Sequence, residues 1–376
     1  MPELPEVETV ARDLRPMIVG ATISGARCTW PRTLRSRDPD GFAAAIAGHR
    51  VEGVGRRGKL LLLALSGRLV LTIHLKMTGQ LFVVHGGVPP DPHVRLVLNL
   101  ADGRELRFRD IRKFGKVGLH HRDPRTGEPL TEPGGASAFA GLGPEPLDPA
   151  FTLQAFRRRV RRRSGRLKPL LLDQSFLAGV GNIYADEALW AARLHPLRSV
   201  ASLRPPDEAR LHHAIRDVLA EAVARRGSSV DDYTAPDGDG TMQERLLVYQ
   251  RTGLPCARCG RPIRRMVVGA RSTHFCSWCQ RLPAADRKAA ARALRRVTPA
   301  GRAIQDRGGR RPPTARAAGR WSELPGDPAI GLTPGEAALA RLRARTDRTR
   351  AAAAARRARA RDAGGGTVGA GPGAAG

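Results

Sequence analysis

The sequence predicts a multidomain α+β chain, and three changes of pattern carry that prediction. Apolar residues recur at helical spacing from Leu4 to Ile18, run in short strand-length blocks between residues 59 and 110, and return to helical spacing from 151 to 227. A pair of Cys-x-x-Cys knuckles follows. At 376 residues the chain is long enough for two or three domains, each with its own core.

The chain starts MPELPEVETV. Val7, Val10, Ala11, Leu14, Met17 and Ile18 fall on one helical stripe, Pro5 suits the first turn, and Glu6 and Glu8 suit the positive end of the helix dipole. Pro2 and Glu3 are not needed by that helix. A secretory signal would require a basic segment followed by an apolar run, and no window approaches the ~18 apolar residues of a membrane span. The expectation is a soluble, cytoplasmic protein with no membrane partner.

The segment KLLLLALSGRLVLTIHLKMTGQLFVV (59–84) reads as strands broken at Ser66-Gly67 and Thr78-Gly79. VRLVLNLADGRELRFRD (94–110) reads as a hairpin, with Val94, Leu96, Leu98 and Leu100 alternating before an Asp102-Gly103 turn. Strands this short and numerous predict a sandwich or barrel-like domain over 2–133. GGASAFAGLGPEPLDP lies in a linker, 134–150. Four helices follow (151–164, 168–174, 182–194, 205–227) in a domain spanning 151–240. SFLAGVG (175–181) separates the middle pair, a helix-turn-helix arrangement compatible with DNA binding.

The formal net charge is +29, a field that attracts polyanions, with nucleic acid the default partner. Of the 64 basic residues only six are Lys, at 59, 76, 113, 116, 168 and 288. Lysine can release a proton and arginine cannot, so a position that remains Lys marks a need for an amine. The five cysteines, Cys28, Cys256, Cys259, Cys276 and Cys279, argue against a disulfide framework and for one metal site in a reducing compartment. CARC and CSWC, sixteen residues apart, supply four thiolates for one zinc with no open position, hence a structural Zn2+ in a domain spanning 241–282. Between them, RPIRRMVVGARSTHF reads as a basic hairpin with Arg271 near its tip, placed to reach a phosphate or to remain a solvated arginine. Residues 283–376 read as a basic tail, low in complexity from about 291, mostly disordered, with helical patterning near 335–361. Residues 291–376 hold 18 Arg, no Lys and 6 acids, too little apolar surface to order a core.

PELPEVETV, RRGKLLLL (56–63), HLKMTG (74–79), RDIRKFG (109–115), LGPEPL (142–147), GVGNIYADEAL (179–189) and the four-Cys finger, in this order, resemble the formamidopyrimidine-DNA glycosylase and endonuclease VIII family over residues 2–282. That resemblance implies an N-terminal β-sandwich entered by a helix, a helix-two-turn-helix domain and a C-terminal zinc-finger hairpin. It implies a monomeric bifunctional glycosylase and AP lyase acting on damaged double-stranded DNA. The expected substrates are oxidised purines (formamidopyrimidines and 8-oxoguanine). Oxidised pyrimidines, or a noncatalytic DNA-binding role, are the alternatives.

By the same resemblance, Pro2 becomes the nucleophile once Met1 is removed. An α-amino group titrates near ~8 and so is partly neutral at pH 7, able to form a Schiff base with the sugar. Glu3 is the implied acid and Glu6 its support, Lys59 the β-elimination lysine, and Arg271 the δ-elimination and phosphate arginine. Met77, Arg112 and Phe114 are the implied wedge that fills the gap left by a flipped nucleotide. His93, Arg163, Lys168 and Asn182 are the implied backbone contacts. Read singly, Glu6 is equally a dipole partner, Lys59 a strand-edge charge, Met77 and Phe114 core residues, Arg112 a solvated arginine and Asn182 an N-cap. SSVDDYTAPDGDGTMQERLLVY (228–249) stands where purine-cutting members carry a loop that closes on the base, but here with an acidic tip, no Lys and Tyr233 as the aromatic of that tip.

Overall fold

The computed structural model describes residues 1–35, 38–229, 240–295 and 297. The tip of the acidic loop (230–239) and nearly all of the tail, including the 335–361 patterning, lie outside the described residues.

The first helix, α1 (Leu4–Ile18), buries Val7, Val10, Ala11, Leu14 and Ile18 of the expected stripe together with Leu4, all 2% exposed or less, while Met17 is half-buried. It closes one side of two packed antiparallel sheets. One sheet runs in the order β1 (Ile23–Cys28), β6 (Val94–Leu100), β7 (Arg104–Asp110), β5 (Gly79–His85). The other runs β2 (Val51–Arg57), β3 (Leu60–Leu65), β4 (Leu69–His74), β8 (Lys116–His121). Leu61, Leu63, Leu65, Leu71 and Ile73 from one sheet meet Leu81, Leu96, Leu98, Leu106 and Phe108 from the other, in a single core shared with α1. The domain is a β-sandwich; the break at 66–68 falls where the sequence placed it, while the second comes earlier than expected, at 75–78, with Gly79 already opening β5.

Strands β1, β2 and β8 and the short helix α2 (Pro39–Ile46) were not among the expected elements. β1 (ISGARC) and β2 (VEGVGRR) are rich in Gly and Arg, and β2 buries only Val51 and Val54, so neither shows a readable alternation.

The helical domain contains α3 (Leu153–Val160), α4 (Leu167–Leu172), α5 (Asn182–Ala191) and α6 (Pro205–Ala224) around Phe156, Leu171, Phe176, Tyr184, Leu189, Leu211 and Ile215. The α4–turn–α5 unit is the helix-two-turn-helix. One side chain clamps its turn: Gln174 donates to the carbonyls of Leu172 and Val180, both at 2.9 Å, and accepts from the Gly179 amide at 3.0 Å.

The finger hairpin pairs β9 (Arg264–Val268) with β10 (Arg271–Phe275). Its two-residue turn, Gly269-Ala270, has both φ angles positive, +55° and +59°, which matches the right-handed twist of a tight hairpin. The chain beyond 283 does not open as structureless tail. α7 (Ala284–Leu294) folds back on the finger, because Ala290, Ala293 and Leu294 complete a small core with Leu197, Met266, Val268 and Phe275.

Candidate active site and nucleic-acid interface

The start of α1 is buried against the turn before α5. The Leu4 amide donates to the Gly179 carbonyl at 3.1 Å, and Glu3 accepts from the Ile183 amide at 2.9 Å through Oε1. Two glycines make this approach possible. A Cβ on Gly181 would lie 2.3 Å from Glu3 Cδ, and one on Gly179, whose φ is +93°, would lie 2.7 Å from Leu4. Pro2 and Glu3 are both buried, and Glu3 Oε2 has no hydrogen-bond partner.

Glu6 is fully committed within the protein. Its Oε2 accepts from the Glu3 amide at 2.8 Å, while its Oε1 accepts from the Tyr184 hydroxyl at 2.5 Å and the Ser228 amide at 2.8 Å. Burial, with Glu6 beside it, raises the Tyr184 phenol well above its ordinary pKa, so it stays a donor. Burial also pushes the Glu3 carboxyl up to about 6, against the opposing pull of Lys59. That leaves a carboxylic acid partly protonated near neutrality and holding one oxygen free, the condition of a general acid.

Lys59 sits on the turn between β2 and β3, half-buried. Burial lowers its pKa, with Arg271 adding to the effect and Glu3 and Glu6 opposing it. The residues predicted to carry chemistry therefore share one electrostatic environment although they come from α1, the β2–β3 turn and the finger. The turn is held by a residue the sequence reading left without a role. Glu145 pairs with Arg56 at 2.6 Å and Arg57 at 3.1 Å and accepts from the Gly58 amide, whose φ is +57°. Arg56 also pairs with Glu8 at 2.9 Å, tying the turn to α1.

Lys168 differs from expectation. It is fully buried, its ammonium 2.6 Å from Asp186 and donating to the Ser272 carbonyl at 2.9 Å. Asp186 also accepts from the His274 amide at 2.9 Å. All of these bonds lie inside the protein, so this amine is a strut between α4, α5 and β10, close to Arg271, and does not present itself to a phosphate. Arg271, at the start of β10, is exposed.

Met77 and the pair Arg112 and Phe114 occupy two loops that one carboxylate joins. Asp110, 1% exposed, accepts from the Thr78 hydroxyl at 2.5 Å, the Gly115 amide at 2.7 Å and the Arg112 amide at 3.2 Å. Arg112 is exposed and lies over the Phe114 ring, 5.1 Å from its centroid, and Phe114 is itself 49% exposed. His93 neighbours the same corner, 3.3 Å from Arg95, which donates to the Asp110 carbonyl at 2.9 Å.

Asn182 opens α5 with its Oδ1 buried and unpartnered; the N-cap is Gly181, so the side chain is not spent on capping. Arg163, half-buried in the α3–α4 turn, donates to Ser175 at 3.1 Å and pairs with Asp173 at 3.6 Å.

The four finger sulfurs lie within 4.8 Å of one another, with Cys256–Cys279 at 3.9 Å and Cys259–Cys276 at 3.5 Å. A tetrahedron with Zn–S near ~2.3 Å puts sulfurs about 3.8 Å apart, so the set fits one zinc ion. The Trp190 indole donates to Cys256 Sγ at 3.4 Å, the outer contact expected of a thiolate ligand.

Asp110, Glu145, Gln174, Tyr184 and Asp186 were missed as site-building residues. Four of them lie inside stretches already singled out (RDIRKFG, LGPEPL, GVGNIYADEAL), and three of those four are acids.

Comparison with known proteins places three family models on the chain in order. They are the formamidopyrimidine-DNA glycosylase N-terminal domain (residues 1–117), the formamidopyrimidine-DNA glycosylase H2TH domain (142–234) and the zinc finger found in FPG and IleRS (253–282). A formamidopyrimidine-DNA glycosylase of Chloroflexus aurantiacus is 50% identical over 282 residues, covering 74% of this chain and 98% of that protein. One from Geobacillus kaustophilus is 44% identical over 283 residues, covering 75% of this chain and all of that protein. Among solved structures, the MutM (FPG) protein of Thermus thermophilus matches with 45% identity and a TM-score of 0.65, over 75% of this chain and 100% of that one. A Lactococcus lactis FPG variant in complex with Fapy-dG-containing DNA matches with 35% identity and a TM-score of 0.66, over 74% and 100%.

Proposed function

This chain belongs to the formamidopyrimidine-DNA glycosylase family, and from that membership and the pocket around Glu3 we propose that it is a bifunctional DNA glycosylase and AP lyase of base-excision repair. Its substrates are oxidised purines in double-stranded DNA, formamidopyrimidines first and 8-oxoguanine with them. Relatives are named for the first activity, and solved neighbours hold DNA containing Fapy-dG, a carbocyclic 8-oxo-G or an abasic site. It works as a cytoplasmic monomer, and its one zinc is structural.

The observation that carries the mechanism is the buried Glu3, its pKa raised to about 6 and one oxygen free, next to the residue that becomes the terminus when Met1 is cleaved. The Pro2 nitrogen attacks C1′ of the flipped nucleotide and the bond to the base breaks, with Glu3 supplying the proton that lets the sugar ring open. The resulting iminium acidifies C2′, and elimination expels the 3′ phosphate. Lys59, its ammonium pKa lowered by burial, moves protons at this stage, and Arg271 faces the phosphates during δ-elimination. Met77, Arg112 and Phe114 occupy the vacated stack. Arg163 and His93 meet the backbone, and so does Asn182 at the start of α5, where the helix dipole favours a phosphate.

Borohydride trapping on duplexes with formamidopyrimidine or abasic sites tests the reading. Wild type should form a covalent adduct, and Pro2→Gly, which replaces the secondary terminal amine with a primary one, should form much less. A wild-type protein that forms no adduct sinks the enzymatic reading, and cleavage at thymine glycol without cleavage at formamidopyrimidine sinks the substrate assignment.

A further inference from the structure

Building on that DNA-binding reading, we infer that α7 is a second phosphate-binding surface, gripping the duplex outside the lesion pocket. Alignments of 282–283 residues exhaust 98–100% of the relatives while covering about three quarters of this chain, and the finger model ends at residue 282. α7 begins at Ala284, beyond that shared part.

The helix is docked. Ala290, Ala293, Leu294 and Val297 pack on the finger core. Its single acid, Asp286, is buried and accepts from the Ser199 amide at 3.2 Å and the Ser202 hydroxyl at 2.9 Å. Arg166 donates to the Ala289 carbonyl. The opposite face carries Arg287, Lys288, Arg292 and Arg295, all exposed. At ~100° per residue these four fall within an arc of about 140°. None of their four side chains forms a hydrogen bond or ion pair with a described residue.

Surface helices ordinarily intersperse both signs, and like charges at i, i+4, as Lys288 and Arg292 are, repel one another. An anion lying along the face relieves that repulsion. Among the described residues no large apolar side chain is exposed on α7, so the face lacks what a membrane-inserting helix needs. The helix is instead held by Arg166, three residues after the proposed backbone contact Arg163, through the Ala289 carbonyl.

The test is the full chain carrying R287Q/K288Q/R292Q/R295Q, in which Gln keeps the helix propensity while removing charge. Zinc content and circular dichroism serve as controls for folding. Binding to an undamaged 30-base-pair duplex should weaken about tenfold at low salt, and the slope of log K against log salt should shrink by about 0.9 for each phosphate the helix no longer neutralises. The same comparison in a chain ending at residue 297 removes the later arginines, and an equal loss of affinity there assigns the effect to the helix. An unchanged slope in either background overturns the proposal, whatever acidic protein the helix then binds. A wild-type chain that fails to bind DNA at all would instead sink the glycosylase reading on which it rests.

Discussion

The carboxyl group of Glu3 occupies the space that a side chain on Gly181 would need: a Cβ built there stands 2.3 Å from Glu3 Cδ and 2.5 Å from Oε1. The acid and the helix that receives it were thus fitted to each other across 178 positions of sequence. Gly181→Ala should displace Glu3 from the Ile183 amide and lower single-turnover excision by about 10²-fold or more, the usual scale of a lost general acid. DNA affinity and zinc content should change little. Excision within a factor of three of wild type would show that Glu3 need not sit where it is found.

The pH dependence follows from the same group. With a pKa of about 6, the Glu3 carboxyl is protonated below that pH and ionised above it, so the glycosylase step should fall as pH rises through about 6. The abasic-site lyase step, which starts from a sugar already in equilibrium with its open-chain aldehyde, should depend on it less. Stability has its own sign. The folded state holds the proton more tightly than the unfolded chain, so stability falls as pH rises from about 4.5 to 6 and then levels. Glu3→Gln should therefore be inactive in excision yet about 1–2 kcal/mol more stable than wild type at pH 7.5, with the advantage fading toward pH 4.5. Urea melts at the two pH values decide it.

Thr78 joins the loops that carry Met77 and Phe114, donating to Asp110 and accepting from the Arg112 amide at 3.1 Å. Thr78→Val should cost about 1–2 kcal/mol of lesion-duplex binding by leaving Asp110 and that amide short of a partner. Undamaged duplex should be affected less. The loss should not add to that of Phe114→Ala if both act through one wedge; additive losses would mean separate roles.

Lys168→Met leaves Asp186 as an unpaired buried charge and should destabilise by about 3–5 kcal/mol. Lys168→Met with Asp186→Asn should recover much of that, measured by urea denaturation. The salt slope of DNA binding should stay as in wild type. A slope reduced by about 0.9 would restore Lys168 as a phosphate contact.

Metal analysis should find one zinc per chain. Stripping it with a strong chelator should release the finger, weaken DNA binding and shift Trp190 emission, because its indole N–H is bonded to Cys256. Cys256→Ser should reproduce the loss of affinity. Full metal content and affinity in that variant would remove the finger from the interface.

Much of this organisation was legible in the sequence because it rests on periodicity and spacing. The α1 stripe, the β6–β7 turn at Asp102-Gly103 and the cysteine knuckles are local signals, each read within about twenty residues. What stayed hidden is long-range. Nothing near Lys168 says that Asp186 and a finger carbonyl will enclose it, and nothing near Glu145 says that it will hold the turn bearing Lys59. The Gly/Arg-rich strands β1 and β2 were missed because their partners, not their own composition, make them strands.

The bonds of Glu6 to Tyr184 and to Ser228, 222 positions further along, also bear on how the protein comes into being. The first residues to leave the ribosome are among the last to acquire their surroundings. At ~5–20 residues per second, on the order of ten seconds or more separates emergence of the terminal amine from emergence of the segment that closes over its neighbours. On the proposed mechanism, a nascent or truncated chain carries the nucleophile without its assembled acid, and the power to cut DNA arrives only with a chain translated through the helical domain.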